Sequence, residues 1–137
     1  MNRRDRKLRK IVLTESHLVG LRAILQTARK YLAERDYIEQ LSDKIENAEV
    51  VRPEDLPADQ VGIERSVRIT DLDRSEPRVY KLVFPRDADY GRKISVIAPL
   101  GSALLGRRVG EVVEVCAPAR KRKVRIDAVL SGEDHAA

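Results

Sequence analysis

The sequence predicts an α+β protein: an N-terminal antiparallel helical hairpin, in effect a short coiled coil, followed by a C-terminal twisted antiparallel sheet with one short helix. Three observations predict it. Apolar residues recur at three-four spacing over Leu18, Leu21, Leu25, Ala28 and Leu32, and again over Ile38, Leu41, Ile45 and Ala48. Pro53 and Pro57 then stop helix formation. Beyond Val61 the chain breaks into short β-rich runs separated by turn residues. The expected organisation is a basic arm over 1–13, a helical hairpin over 14–51, a linker over 52–60, a C-terminal domain over 61–131 and a tail over 132–137.

Thr14 is a suitable N-cap for the first helix, with Glu15 in the favoured first turn. Ile24 and Tyr31 widen the apolar seam, and Gly20 weakens the helix by about 1 kcal/mol relative to Ala. After a two- or three-residue break, Asp36 stands as a second N-cap with Glu39 completing a capping box. So short a break implies an antiparallel pair, whose arms are roughly 30 Å and about 20 Å long.

Arg52 to Gln60 is polar and proline-bearing, as a linker should be. Val67 to Thr70 is the first strand of the C-terminal part, and Asp73 to Pro77 a turn. Arg78 to Phe84 follows, with Tyr80, Leu82 and Phe84 on one face and Val79 and Val83 on the other, so it is expected as a central strand. Pro85 to Lys93 is a charged loop. Ile94 to Ile97 is a β run, Pro99 fits the first helical position, and Leu100, Ala103, Leu104 and Leu105 give the helix an apolar side. Gly106 is placed as a left-handed stop and Gly110 as a second turn before the strand Glu111 to Val115. Ala117 to Lys123 is a basic turn, and Val124 to Leu130 closes the sheet.

Of 137 residues, 36% are charged and 42% hydrophobic, which is compatible with one packed core. The net charge of +5 is unevenly spread. Arg3, Arg4, Arg6, Lys7, Arg9 and Lys10 crowd the start, and Arg120, Lys121, Arg122, Lys123 and Arg125 crowd the end, while the rest is mildly acidic. These runs suit weak contact with nucleic acid or another acidic surface, or simply a solvated one. No aromatic residue interleaves with the first run, so base stacking is not indicated. The single cysteine, Cys116, excludes an internal disulfide and is expected as a small buried hydrophobe. No apolar run has the length of a membrane span, and the basic start lacks a signal-peptide core. Neither a metal-ligand cluster nor a phosphate-cradling glycine loop is recognisable, so no cofactor is expected and a binding module is favoured over an enzyme.

The stretch Ser95 to Gly106, S-V-x-A-P-x-G-x-A-L-L-G, resembles the C-terminal domain of the GreA/GreB transcription elongation factors. The linker RPEDLPADQV, Arg52 to Val61, brings the chain closer to the Rnk group, named for regulating nucleoside diphosphate kinase, which joins that domain to a short coiled coil. The helix-and-glycine half of the motif is shared with FKBP-type prolyl isomerases, so the implied domain is FKBP-like. Ile97 and Ala98 depart from the polar residue and Ser that Gre proteins tend to carry there, in agreement with the Rnk pattern.

The resemblance implies a cytoplasmic, bacterial protein that binds RNA polymerase through Ser95, Ile97, Pro99 and Leu100 and presents its coil to the secondary channel. The tip acids are then Glu34, Asp36 and Glu39. In Gre factors such acids help the polymerase hold a second Mg²⁺ for cleaving backtracked RNA. With so short a coil, the expected role is competition with Gre factors without cleavage. The alternatives are a Gre-type cleavage cofactor and an FKBP-like isomerase, the latter poorly served by a chain with no Trp and one Phe.

Overall fold

The computed structural model describes residues 10–32, 36–89, 91–116 and 121–130. The expectations for residues 1–9, for residues 117–120 of the basic turn, for the tail, and for the side chains of Leu32 and Cys116 fall outside the described residues, while Lys121 to Lys123, expected to complete that turn, already belong to a strand.

Among the described residues the first element is a strand, β1 (Val12–Leu13), followed by α1 (Glu15–Leu32), α2 (Asp36–Glu46) and a returning strand, β2 (Glu49–Val50). Thr14 caps α1: its hydroxyl accepts the His17 N–H at 3.3 Å and its carbonyl the Leu18 N–H at 3.0 Å. Leu21, Leu25, Ala28, Ile38, Leu41 and Ile45 are buried between the helices and the sheet. The contacts between the helices run in opposite chain directions, with Arg22 near Glu46 and Arg29 donating to Ser42. Tyr31 departs from the expected seam and is 80% exposed. Asp36 is already helical, one position later than the cap it was expected to form.

Ile11 to Leu13, expected as the end of a solvated arm, are buried. They are apolar, and β1 pairs in parallel with β2, the Glu49 and Val51 amides donating to Ile11 and Leu13 carbonyls at 2.8 and 2.9 Å. The buried Gln60 side chain supplies the other edge: it accepts the Val12 N–H at 2.9 Å and donates to the Val12 carbonyl at 2.8 Å. One amide thus satisfies both backbone groups of a buried residue.

The larger sheet contains β3 (Ser66–Asp71), β4 (Glu76–Val83), β5 (Lys93–Ser95), β6 (Val112–Cys116) and β7 (Lys121–Leu130), in the order β5-β4-β3-β7-β6. Two corrections follow. First, the sheet is not wholly antiparallel: β5 runs parallel to β4, Lys93 to Ser95 matching Lys81 to Val83. A 3₁₀ turn at Pro85–Asp87 and a turn in which Asp89 accepts the Gly91 and Lys93 amides reverse the chain so that β5 repeats the direction of β4. Second, β3 is the middle strand and β4 lies beside the edge. Glu76 to Lys81 pair with β3 and Lys81 to Val83 with β5, so the two ladders overlap at Lys81; Val83 is buried while Val79 is 43% exposed.

The short helix α3 (Pro99–Leu104) lies between β5 and β6 in sequence. A single cluster of buried side chains runs from Ile11 and Leu21 through Ile38, Leu82, Leu104 and Ile126, joining the helical pair to the sheet.

Candidate functional site

The segment leaving β5 is built by backbone bonds that place Ser95, Ile97, Pro99 and Leu100 in one continuous turn. The Ser95 hydroxyl accepts the Ile97 N–H at 3.2 Å, and its carbonyl accepts the Ala98 N–H at 3.0 Å. Ala98 is extended, as a residue preceding proline should be, and Pro99 opens α3. Gly101 has no alternative: a Cβ there would lie 2.0 Å from the Ser95 carbonyl oxygen. Ser95, Ile97, Pro99 and Leu100 are all half-buried, so each presents part of its surface to solvent while Val96, Leu104 and Leu105 anchor the segment in the core.

Ile97 also reaches an open apolar groove of about 660 Å³, lined by Gly20, Ala23, Ile24 and Tyr31 of α1 and by Phe84. Gly20 makes this wall possible, since a Cβ on it would come within 2.8 Å of Phe84 Cζ. The glycine that sequence reasoning takes as a weak point of the helix is therefore a site of close approach; a glycine inside an otherwise helical pattern was the signal available. The His17 ring meets the Phe84 ring edge-on, centroids 6.4 Å apart. Burial lowers the His17 imidazole below its ordinary value, Glu64 opposing that shift and Arg65 adding to it.

At the far end of α3, Lys44 of α2 donates to three backbone carbonyls: Ser102 at 2.9 Å, Ala103 at 3.2 Å and Leu105 at 2.9 Å. Burial pushes its ammonium down to about 7, with Arg107 adding to the shift and Glu111 opposing it. Nothing in the local sequence signals this contact, because the partners lie far along the chain.

Of the expected tip acids, Glu34 lies outside the described residues, while Asp36 and Glu39 are exposed in the first turn of α2. There their charges complement the helix dipole. Of the basic residues, Arg3, Arg4, Arg6, Lys7, Arg9 and Arg120 lie outside the described residues, and Lys10 is exposed. The second run does not form one described patch. Lys121 and Lys123 are exposed and lie on one face of β7, whereas Arg122 points to the other and pairs with Asp71 at 3.5 Å.

Residues 56–131 match the family described as "Transcription elongation factor, GreA/GreB, C-term". Transcription elongation factor GreA of Thermotoga maritima is 35% identical over 95 residues, which cover 69% of this chain and 60% of the relative. GreA of Clostridium botulinum is 39% identical over 94 residues, covering 68% of this chain and 59% of the relative. The chain thus spans about three-fifths of the length of these curated relatives. Among solved structures, a prokaryotic transcription elongation factor GreA/GreB from Nitrosomonas europaea superimposes with a TM-score of 0.74 at 33% identity, over 90% of this chain and 99% of that one.

Proposed function

The chain belongs to the GreA/GreB family of transcription elongation factors, and from that premise we propose that it is an elongation regulator that binds bacterial RNA polymerase near the secondary channel. It competes there with longer Gre factors and does not stimulate transcript cleavage. In this reading the helical pair is a short coiled-coil hairpin, the sheet and α3 form the FKBP-like docking module, and the chain falls in the Rnk group. It acts in the cytoplasm as a binding factor, not as an enzyme.

The observation that carries the docking part is the turn from Ser95 to Leu100. It is held by Gly101 and the buried Val96, yet leaves Ile97, Pro99 and Leu100 partly open to solvent beside an apolar groove. A rigid element with partly exposed apolar side chains suits a protein interface. The lack of cleavage is supported by reach: helices of 18 and 11 residues extend about 27 Å and about 17 Å. A carboxylate that stops short of the catalytic Mg²⁺ adds little to a two-metal transition state.

The testing experiment is a pull-down of purified bacterial RNA polymerase with this protein, with and without a Gre factor. Capture that the Gre factor displaces supports the reading. Absence of capture, or capture unaffected by excess Gre factor, rejects it.

A further inference from the structure

The end of α3 offers a complete account of its backbone groups. A short helix leaves its last carbonyls without intrahelical partners. Here the Gly101 carbonyl accepts the Leu105 N–H at 3.1 Å, and the Leu104 carbonyl accepts the Arg107 N–H at 3.0 Å. The carbonyls of Ser102, Ala103 and Leu105 are then taken by one side chain, the Lys44 ammonium. Three donors meet three acceptors, which is the full capacity of an ammonium group. Lys44 comes from a different part of the chain, between Leu41 and Ile45, both of which are buried against the core.

We infer that Lys44 is a positioning residue that fixes the direction of the helical pair against α3, the element whose opposite end carries the docking residues Pro99 and Leu100. Leucines alone allow helices to slide and rotate over an apolar surface, because the hydrophobic effect has no preferred direction. Three hydrogen bonds from one nitrogen to three carbonyls do have one. The clasp sits in the last turn of α2, so a slide or rotation of the helical pair relative to α3 lengthens its bonds. Its importance for channel entry rests on the polymerase-docking reading above; the positioning itself does not.

Arg107 repels the Lys44 ammonium and Glu111 attracts it. On α1, the helix packed across α2, Arg22 pairs with Glu46 and Arg29 donates to Ser42. Loss of the Lys44 proton leaves an amine with two N–H donors for three carbonyls, so the clasp is loosest at alkaline pH.

The test measures direction rather than polymerase binding, so its failure is distinguishable from failure of the docking reading. Spin labels are placed at Gln40 on α2 and Arg78 on β4, both exposed, in the full chain carrying Cys116→Ser. Pulsed electron paramagnetic resonance then gives the distance distribution. With Lys44 present and charged, at pH 6, one narrow distribution is expected. Lys44→Gln is expected to add a second population, and Lys44→Arg, which restores a charged multiple donor, to narrow it again. An unchanged distribution in folded Lys44→Gln overturns the inference, as does an arginine variant as broad as the glutamine one. If Lys44→Gln does not unfold cooperatively, the lysine protein is compared on the acidic and alkaline sides of the Lys44 titration, located by NMR of its side chain. Broadening on the alkaline side is expected, and identical distributions on the two sides overturn the inference.

Discussion

Ile11 occupies the space that a side chain on Gly106 would need: a Cβ built on Gly106 would lie 2.0 Å from Ile11 Cγ2. Gly106 also holds φ at +84°, in the left-handed region. The residue that ends α3 is therefore a glycine for two reasons, one conformational and one steric. Through it Ile11, the residue before β1, is keyed into the segment that begins with the Ser95 to Leu100 turn.

Gly106→Ala is accordingly expected to destabilise the fold by about 2–4 kcal/mol, the sum of left-handed strain and overpacking. Chemical denaturation measures this. In a double-mutant cycle, Ile11→Ala should recover part of the loss by removing the clashing methyl groups. A neutral Gly106→Ala variant would contradict the packing described here.

A second prediction concerns stability and pH. The ordinary Lys value of 10.5 in the unfolded chain falls to about 7 for Lys44 in the fold. Between these values the unfolded chain binds more protons than the folded one. Stability from this group therefore rises with pH across that window, by at most about 1.4 kcal/mol per unit. The burial cost of the charge is relieved even as the third carbonyl loses its donor. The comparison is the urea midpoint at pH 7 and pH 9 for the lysine protein and for Lys44→Met. The rise attributable to Lys44 should vanish in the variant, and equal slopes would contradict the prediction.

Replacing Ile97 or Pro99 with Asp should weaken polymerase binding by at least about tenfold, equivalent to about 1.4 kcal/mol. Both positions are half-buried, so the free chain keeps the new carboxylate hydrated and retains its fold. In the complex the same charge is desolvated. Far-UV circular dichroism checks the fold and surface plasmon resonance the affinity. Unchanged affinity in a folded variant moves the docking face elsewhere.

Much of the Ser95 to Gly106 segment was legible in the sequence, because its signals are local. Pro99 marks the helix start and Gly106 its end from backbone chemistry alone, whereas β7 was legible only over Val124 to Leu130, its basic start from Lys121 reading as a turn. The contacts that give the segment its context were not legible. Gln60 bonds Val12, and Lys44 bonds Ser102, Ala103 and Leu105, across long stretches of chain. A polar residue's local sequence does not reveal that it will be buried against a distant carbonyl. The parallel pairing of β5 escaped for a related reason: a charged loop between two β runs suggests a hairpin, and only the turns at Pro85 and Asp89 redirect it.

The basic runs are expected to bind DNA weakly and without sequence preference, with affinity falling as salt rises through counterion release. Within the second run, Arg122 is already engaged by Asp71, which reduces the charge available to a partner. Fluorescence anisotropy with a short duplex at two ionic strengths measures this. A tight, sequence-selective complex that persists at high salt would contradict it.

The most direct test of the central claim is RNA cleavage in backtracked elongation complexes at a fixed concentration of a Gre factor, with this protein titrated in. Cleavage should fall toward the level seen without the Gre factor if, as proposed, the protein occupies the same site without carrying its tip acids far enough. Cleavage that stays constant would contradict binding at that site, and cleavage that rises above the Gre-only level would make this protein a cleavage cofactor.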